Sequence, residues 1–98
     1  HKIVDVIEVS DLEQGKFSAR ELVLAKVDAS GTKRGEIVQI CDIFRAKIVD
    51  VSQRSIIVEM TGQHQKIEAF LGMLEPFGIK QMARTGIAAL PRNRKLEL

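Results

Sequence analysis

Between residues 21 and 85 the order of periodicities runs strand, helix, strand, strand, helix, strand, and few folds accept that order. Residues 21–27 (ELVLAKV) are short and rich in apolar residues, which predicts a strand closed by a turn at Asp28-Ala29-Ser30-Gly31. Thr32 is the expected N-cap of a first helix. Ile37, Ile40, Cys41 and Phe44 then recur at helical spacing and form one apolar stripe. Residues 46–51 (AKIVDV) return to strand chemistry, Ser52-Gln53-Arg54 turns the chain, and residues 55–60 (SIIVEM) put Ile56, Val58 and Met60 on one face. Thr61 or Gly62 is expected to open a second helix with the stripe Ile67, Phe70, Leu71 and Leu74. Pro76 and Gly78 stop it, with Phe77 between them as a core plug, and Ile79 to Thr85 forms the last strand.

Two strand–helix–strand units with the same stripe spacing make a split βαβ, an α+β ferredoxin-like sandwich. Right-handed crossovers place both helices on one face of a four-stranded antiparallel sheet. At 98 residues the chain bounds to one domain, with surface enough for one modest core. An extra N-terminal strand is expected at 3–9 (IVDVIEV), joined by a polar linker over 11–19, and it lacks an obvious partner within the four-stranded unit.

A two-layer sandwich leaves its other sheet face without cover, and that face is polar when it meets water. Here alternation fails: Leu22 and Leu24 oppose Val23, Ala25 and Val27; Ile48 opposes Val49 and Val51; Ile57 opposes Ile56 and Val58. Whichever set meets the helices, apolar residues remain on the other side among Lys26, Asp50 and Glu59. An apolar patch rimmed by charge marks a contact surface.

Charge narrows the partners. Residues 1–90 hold twelve Lys/Arg and twelve Asp/Glu, so the net +2 resides in the tail at 91–98, where Arg92, Arg94 and Lys95 outweigh Glu97. A neutral body with four Phe and no Tyr or Trp lacks the basic face and stacking platforms of nucleic-acid binders, and three tail charges are too few for tight binding. No apolar run approaches the ~20 residues of a membrane span.

Catalytic chemistry is hard to assemble. Cys41 lies on the apolar stripe and reads as core; His64 sits in the polar first turn of the second helix and reads as solvated; His1 is terminal. No nucleophile–base pair is suggested, and Asp42 and Asp50 read as surface charges. Gly31 and Gly35 bracket Thr32-Lys33-Arg34 before a helix, yet match neither GxGxxG nor the phosphate loop.

Taken together, IVDVIEVSDL (3–12), Arg20-Glu21-Leu22, DIFRAKIVDVS (42–52), Glu59 to Gly62, KIEAFLGMLEPFGI (66–79) and ARTGIAAL (83–90) resemble the regulatory, or small, subunit of acetolactate synthase, also called acetohydroxyacid synthase. The resemblance implies a regulatory, non-catalytic chain in branched-chain amino-acid (valine, leucine and isoleucine) biosynthesis. Residues 20–90 would correspond to that subunit's C-terminal ferredoxin-like domain, and residues 1–10 to the closing strand of a preceding effector-binding ACT domain. It further implies that thiamine diphosphate, metal ion and flavin belong to the catalytic large subunit, with no cofactor on this chain. The location implied is the cytoplasm, or the plastid stroma for a plant or alga.

On this reading the domain acts by protein–protein contact with the catalytic subunit and forms a homodimer. The contact candidates are the uncovered sheet face with Arg45, Arg84 and Thr85. Both arginines can make forked bonds to carboxylates, and the competing reading is an arginine solvated or paired within the chain. The alternative function is an amino-acid sensor dimer that takes its effector at the 29–36 loop.

Overall fold

The computed structural model describes residues 6–7 and 16–92. The expectations for 1–5, for 8–15 and for the basic tail beyond Arg92 lie outside these. The elements are β1 (Val6–Ile7), β2 (Phe17–Asp28), α1 (Lys33–Phe44), β3 (Lys47–Val51), β4 (Ser55–Gly62), α2 (His64–Leu74), a 3-10 turn (Glu75–Phe77) and β5 (Ile79–Pro91). They form one antiparallel sheet in the order β1-β5-β2-β4-β3. Without β1 this is the ferredoxin-like arrangement expected from the sequence.

Both helical stripes are buried against one sheet face. Val23, Ala25 and Val27 of β2 and Ile56, Val58 and Met60 of β4 meet Ile37, Ile40 and Cys41 of α1 and Ile67, Phe70, Leu71 and Leu74 of α2 in a single cluster. Phe44, Phe77 and Ile79 pack at its margin, so Phe77 does act as a plug. The turn after β2 closes as expected for Asp: its side chain accepts the Ser30 backbone N–H at 3.0 Å and the Ser30 hydroxyl at 2.8 Å.

Four sequence expectations need correction. Thr61 and Gly62 do not open α2, because they still pair with Leu22 and Glu21 of β2 and stay extended; Gln63 is the N-cap. Phe17–Ala19, placed in the linker, belong to β2, and β5 runs on from Thr85 to Pro91. The two extensions pair with each other from Phe17↔Pro91 to Glu21↔Ile87, a ribbon whose hydrogen-bonded partner lies some 70 residues away and therefore leaves no local signature. The N-terminal strand has a partner after all: Val6 and Ile7 pair with Ala88 and Ile87 on that extension.

Gly78 turns the chain from the 3-10 turn into β5 at φ 98° and ψ 101°, a region side chains avoid. A Cβ there would make only ordinary contact with Asp28, at 3.7 Å, so the cost of a substitution is backbone strain. Gly78→Ala is expected to lower stability by about 1–2 kcal/mol, read by urea unfolding.

Candidate interaction face

The uncovered side of the sheet begins with the strand register. Leu24 pairs with Glu59 and Ala83, and Lys26 with Ile57 and Gln81, so these residues share the face turned away from the helices. With Met82 at the rim, Leu24, Lys26, Ile57, Gln81 and Ala83 line a shallow hollow of about 550 Å³. Apolar Leu24 and Ile57 are only half-covered here, flanked by Lys26 and Glu59. This is the mixed surface the failed alternation predicts.

Arg84 and Thr85 stand on β5 where it pairs with β2, and both are engaged within the chain. The Arg84 guanidinium donates to both Glu21 oxygens, at 2.6 and 3.2 Å, and lies 3.4 Å from Glu68 of α2. Glu21 is 5% exposed, so its charge needs this fork. Arg84 accordingly holds the Glu21 carboxyl below the usual carboxylate range against the opposing effect of burial. The bond to Glu21 likewise raises Arg84. Thr85 and Gly86 together oppose Leu22, a bulge with Gly86 at φ 80°. The Thr85 hydroxyl accepts the Leu22 N–H at 3.1 Å and donates to the Gly86 carbonyl at 2.9 Å.

His64 is not freely solvated, contrary to the sequence reading. Gly62 pairs with Glu21, and that register carries the first residue of α2 over the buried carboxylate. His64 Nδ1 lies 3.5 Å from Glu21 and Nε2 3.5 Å from Glu68, and Nδ1 is buried without a hydrogen-bond partner. Glu21, His64 and Glu68 were absent from the candidate residues. A signal for Glu21 existed: it falls in step with Val23, Ala25 and Val27, a charge on the core-facing phase of a strand.

Arg45 is different. It follows α1 in the left-handed region at φ 59°, ψ 36°, with its N–H bonded to the Asp42 carbonyl and that of Ala46 to Cys41. This is a Schellman closure, which favours glycine. Among the described residues its side chain makes no hydrogen bond or ion pair. Arg45→Gly is therefore expected to gain roughly 0.5–1 kcal/mol in thermal unfolding, because it removes the strain of a side chain there.

The 29–36 loop turns its cations inward. Lys33 Nζ reaches Asp28 at 3.0 Å and the Phe77 carbonyl at 3.3 Å, and Arg34 donates to the carbonyls of Ser52 and Gln53 at 2.6 and 2.9 Å. The Ser30 N–H first, then the Lys33 ammonium, hold the Asp28 carboxyl well below its ordinary range. Cys41 is 1% exposed, and burial pushes its thiol up, with Asp42 adding to the effect. Among the described residues no three His, Cys, Asp or Glu side chains gather as a metal would require, and no helix is long and apolar enough to cross a membrane.

Comparison with known proteins decides the family. Residues 20–93 match the family model described as the small subunit of acetolactate synthase. The chain belongs to the acetolactate synthase small-subunit family. The Bacillus subtilis acetolactate synthase small subunit is 46% identical over 92 residues, covering 94% of this chain and 54% of that protein. Arabidopsis thaliana acetolactate synthase small subunit 2, chloroplastic, is 48% identical over 94 residues, 96% of this chain and 20% of that protein. The crystal structure of the Thermotoga maritima acetolactate synthase small subunit is similar at a TM-score of 0.77 and 39% identity, over 84% of this chain and 50% of that one. The chain thus spans little more than half the length of the bacterial small subunit it matches, and a fifth of the plant one.

Proposed function

We propose that this small-subunit domain is a regulatory, non-catalytic element that binds the catalytic large subunit of acetolactate synthase and raises its activity in branched-chain amino-acid synthesis. The observation that carries the reading is the uncovered sheet face of a small-subunit family member, where Leu24 and Ile57 stand half-covered among Lys26, Gln81 and Glu59. A sheet this apolar on its free side is suited to a protein partner. Binding activates by favouring the active arrangement of the catalytic subunit, which requires tighter binding to that arrangement than to the inactive one.

In this scheme the thiamine diphosphate, metal and flavin chemistry belongs to the catalytic subunit. The domain is a homodimer in the cytoplasm, or in the plastid stroma of a plant. Of the contact candidates, Arg45 is favoured, because a strained left-handed residue whose side chain has no partner among the described residues suits a role outside the fold. Arg84 and Thr85 contribute to the partner surface through the shape of the β2–β5 ribbon they hold. Sedimentation of the chain mixed with the purified catalytic subunit tests the binding step. A faster-moving complex is expected, and separate boundaries at concentrations of tens of micromolar would refute it.

A further inference from the structure

The edge of the sheet at β3 carries an apolar strip of its own. Ile43 at the end of α1 is 74% exposed, and Ile48, Val49 and Val51 of β3 are 38%, 49% and 58% exposed. Among the described residues β3 pairs only with β4, so its other side presents backbone groups that none of them pairs. Strand register sorts its side chains. Ile48 and Val51 pair with the buried Val58 and Ile56 and so point to the helix side, whereas Lys47 and Asp50 pair with Glu59 and Ile57 and point to the open side. Among the described residues neither Lys47 nor Asp50 has an ion-pair partner.

We infer that this edge pairs with the same edge of a second copy, the two β3 strands antiparallel across a two-fold axis between Ile48 and Val49. The inference rests on the homodimer proposed above and supplies its interface. Charge complementarity argues for a second copy: the two-fold sets Lys47 of each copy against Asp50 of the other on the open side, and Ile48 against Val49. Two ion pairs and an apolar centre arise from one strand's own sequence. The register between β3 and β4 skips at Val49, a bulge. The open sheet face stays free in both copies for the catalytic subunit.

Sedimentation equilibrium of the 98-residue chain tests this, with far-UV circular dichroism verifying each variant. Asp50→Lys, and separately Lys47→Asp, set like charges across the axis and are expected to weaken the dimer roughly tenfold. The double variant K47D/D50K restores the opposite pairing and is expected to recover affinity to within about twofold. A wild-type chain that stays monomeric overturns both the homodimer and this interface. A dimer unmoved by either single variant, or a swap that fails to restore it, overturns the interface alone. A monomer whose binding to the catalytic subunit is lost in D50K would instead assign the edge to that subunit and overturn the proposal.

Discussion

Phe70→Ala is expected to lower the stability of the domain by about 3–5 kcal/mol, the range for removing a fully buried aromatic ring. Phe70 is 0% exposed on the buried stripe of α2, and its ring centre lies 5.4 Å from that of Phe44, inclined at 54°. The substitution therefore leaves a cavity where the two helices meet and removes a favourable tilted ring pair. A domain with about 5–15 kcal/mol in total loses a third or more of its margin, so the urea midpoint moves sharply while the slope holds. Met73 on the same helix is 49% exposed, and Met73→Ala is expected to stay within about 0.5 kcal/mol. Equal effects at the two positions would contradict the packing described.

Arg84→Met is expected to cost about 2–3 kcal/mol, since it leaves the Glu21 carboxylate buried without its fork. The figure is set below that of a fully buried pair because the Arg84 side chain is 26% exposed. Glu21→Leu combined with Arg84→Met is expected to cost less than the two single changes summed, because the double change removes both charges. The effect carries a pH signature. Arg84 depresses the Glu21 carboxyl in the folded chain, so the pair's stabilisation is complete above the ordinary carboxylate range of about 4.3. It is lost as pH falls through the lower, folded value. The stability gap between wild type and Arg84→Met therefore narrows in acid. Unfolding titrations across pH 3 to 8 measure it directly.

The core was legible because its periods are local. Ile37, Ile40, Cys41 and Phe44, and Ile67, Phe70, Leu71 and Leu74, carry the helical period, and β2 and β4 each carry a clean core-facing alternation. The ribbon was not. Phe17–Arg20 is mixed in polarity and Ile87–Pro91 is apolar throughout, so neither alternates, and both gain their strand conformation from pairing with each other across the chain. The same separation hid Arg84's partner: Glu21 lies 63 residues away, and no window on the sequence holds both. The start of α2 was misplaced because Thr61 and Gly62 carry helix-opening chemistry that pairing with β2 overrides. The uncovered face was legible as a failure of alternation, whereas the engagement of Arg84 and Thr85 within the chain depended on the Gly86 bulge.

The central claim is that the uncovered sheet face turns on a catalytic subunit. Its most direct test is acetolactate formation by the isolated catalytic subunit, titrated with the wild-type chain and with Leu24→Glu. The wild type is expected to raise the rate to a plateau, and the folded variant to need at least about tenfold more protein for the same rise, since it buries an unpaired charge at the contact. A rate that the folded wild-type chain leaves unchanged, or a variant that activates as well as the wild type, would contradict the account.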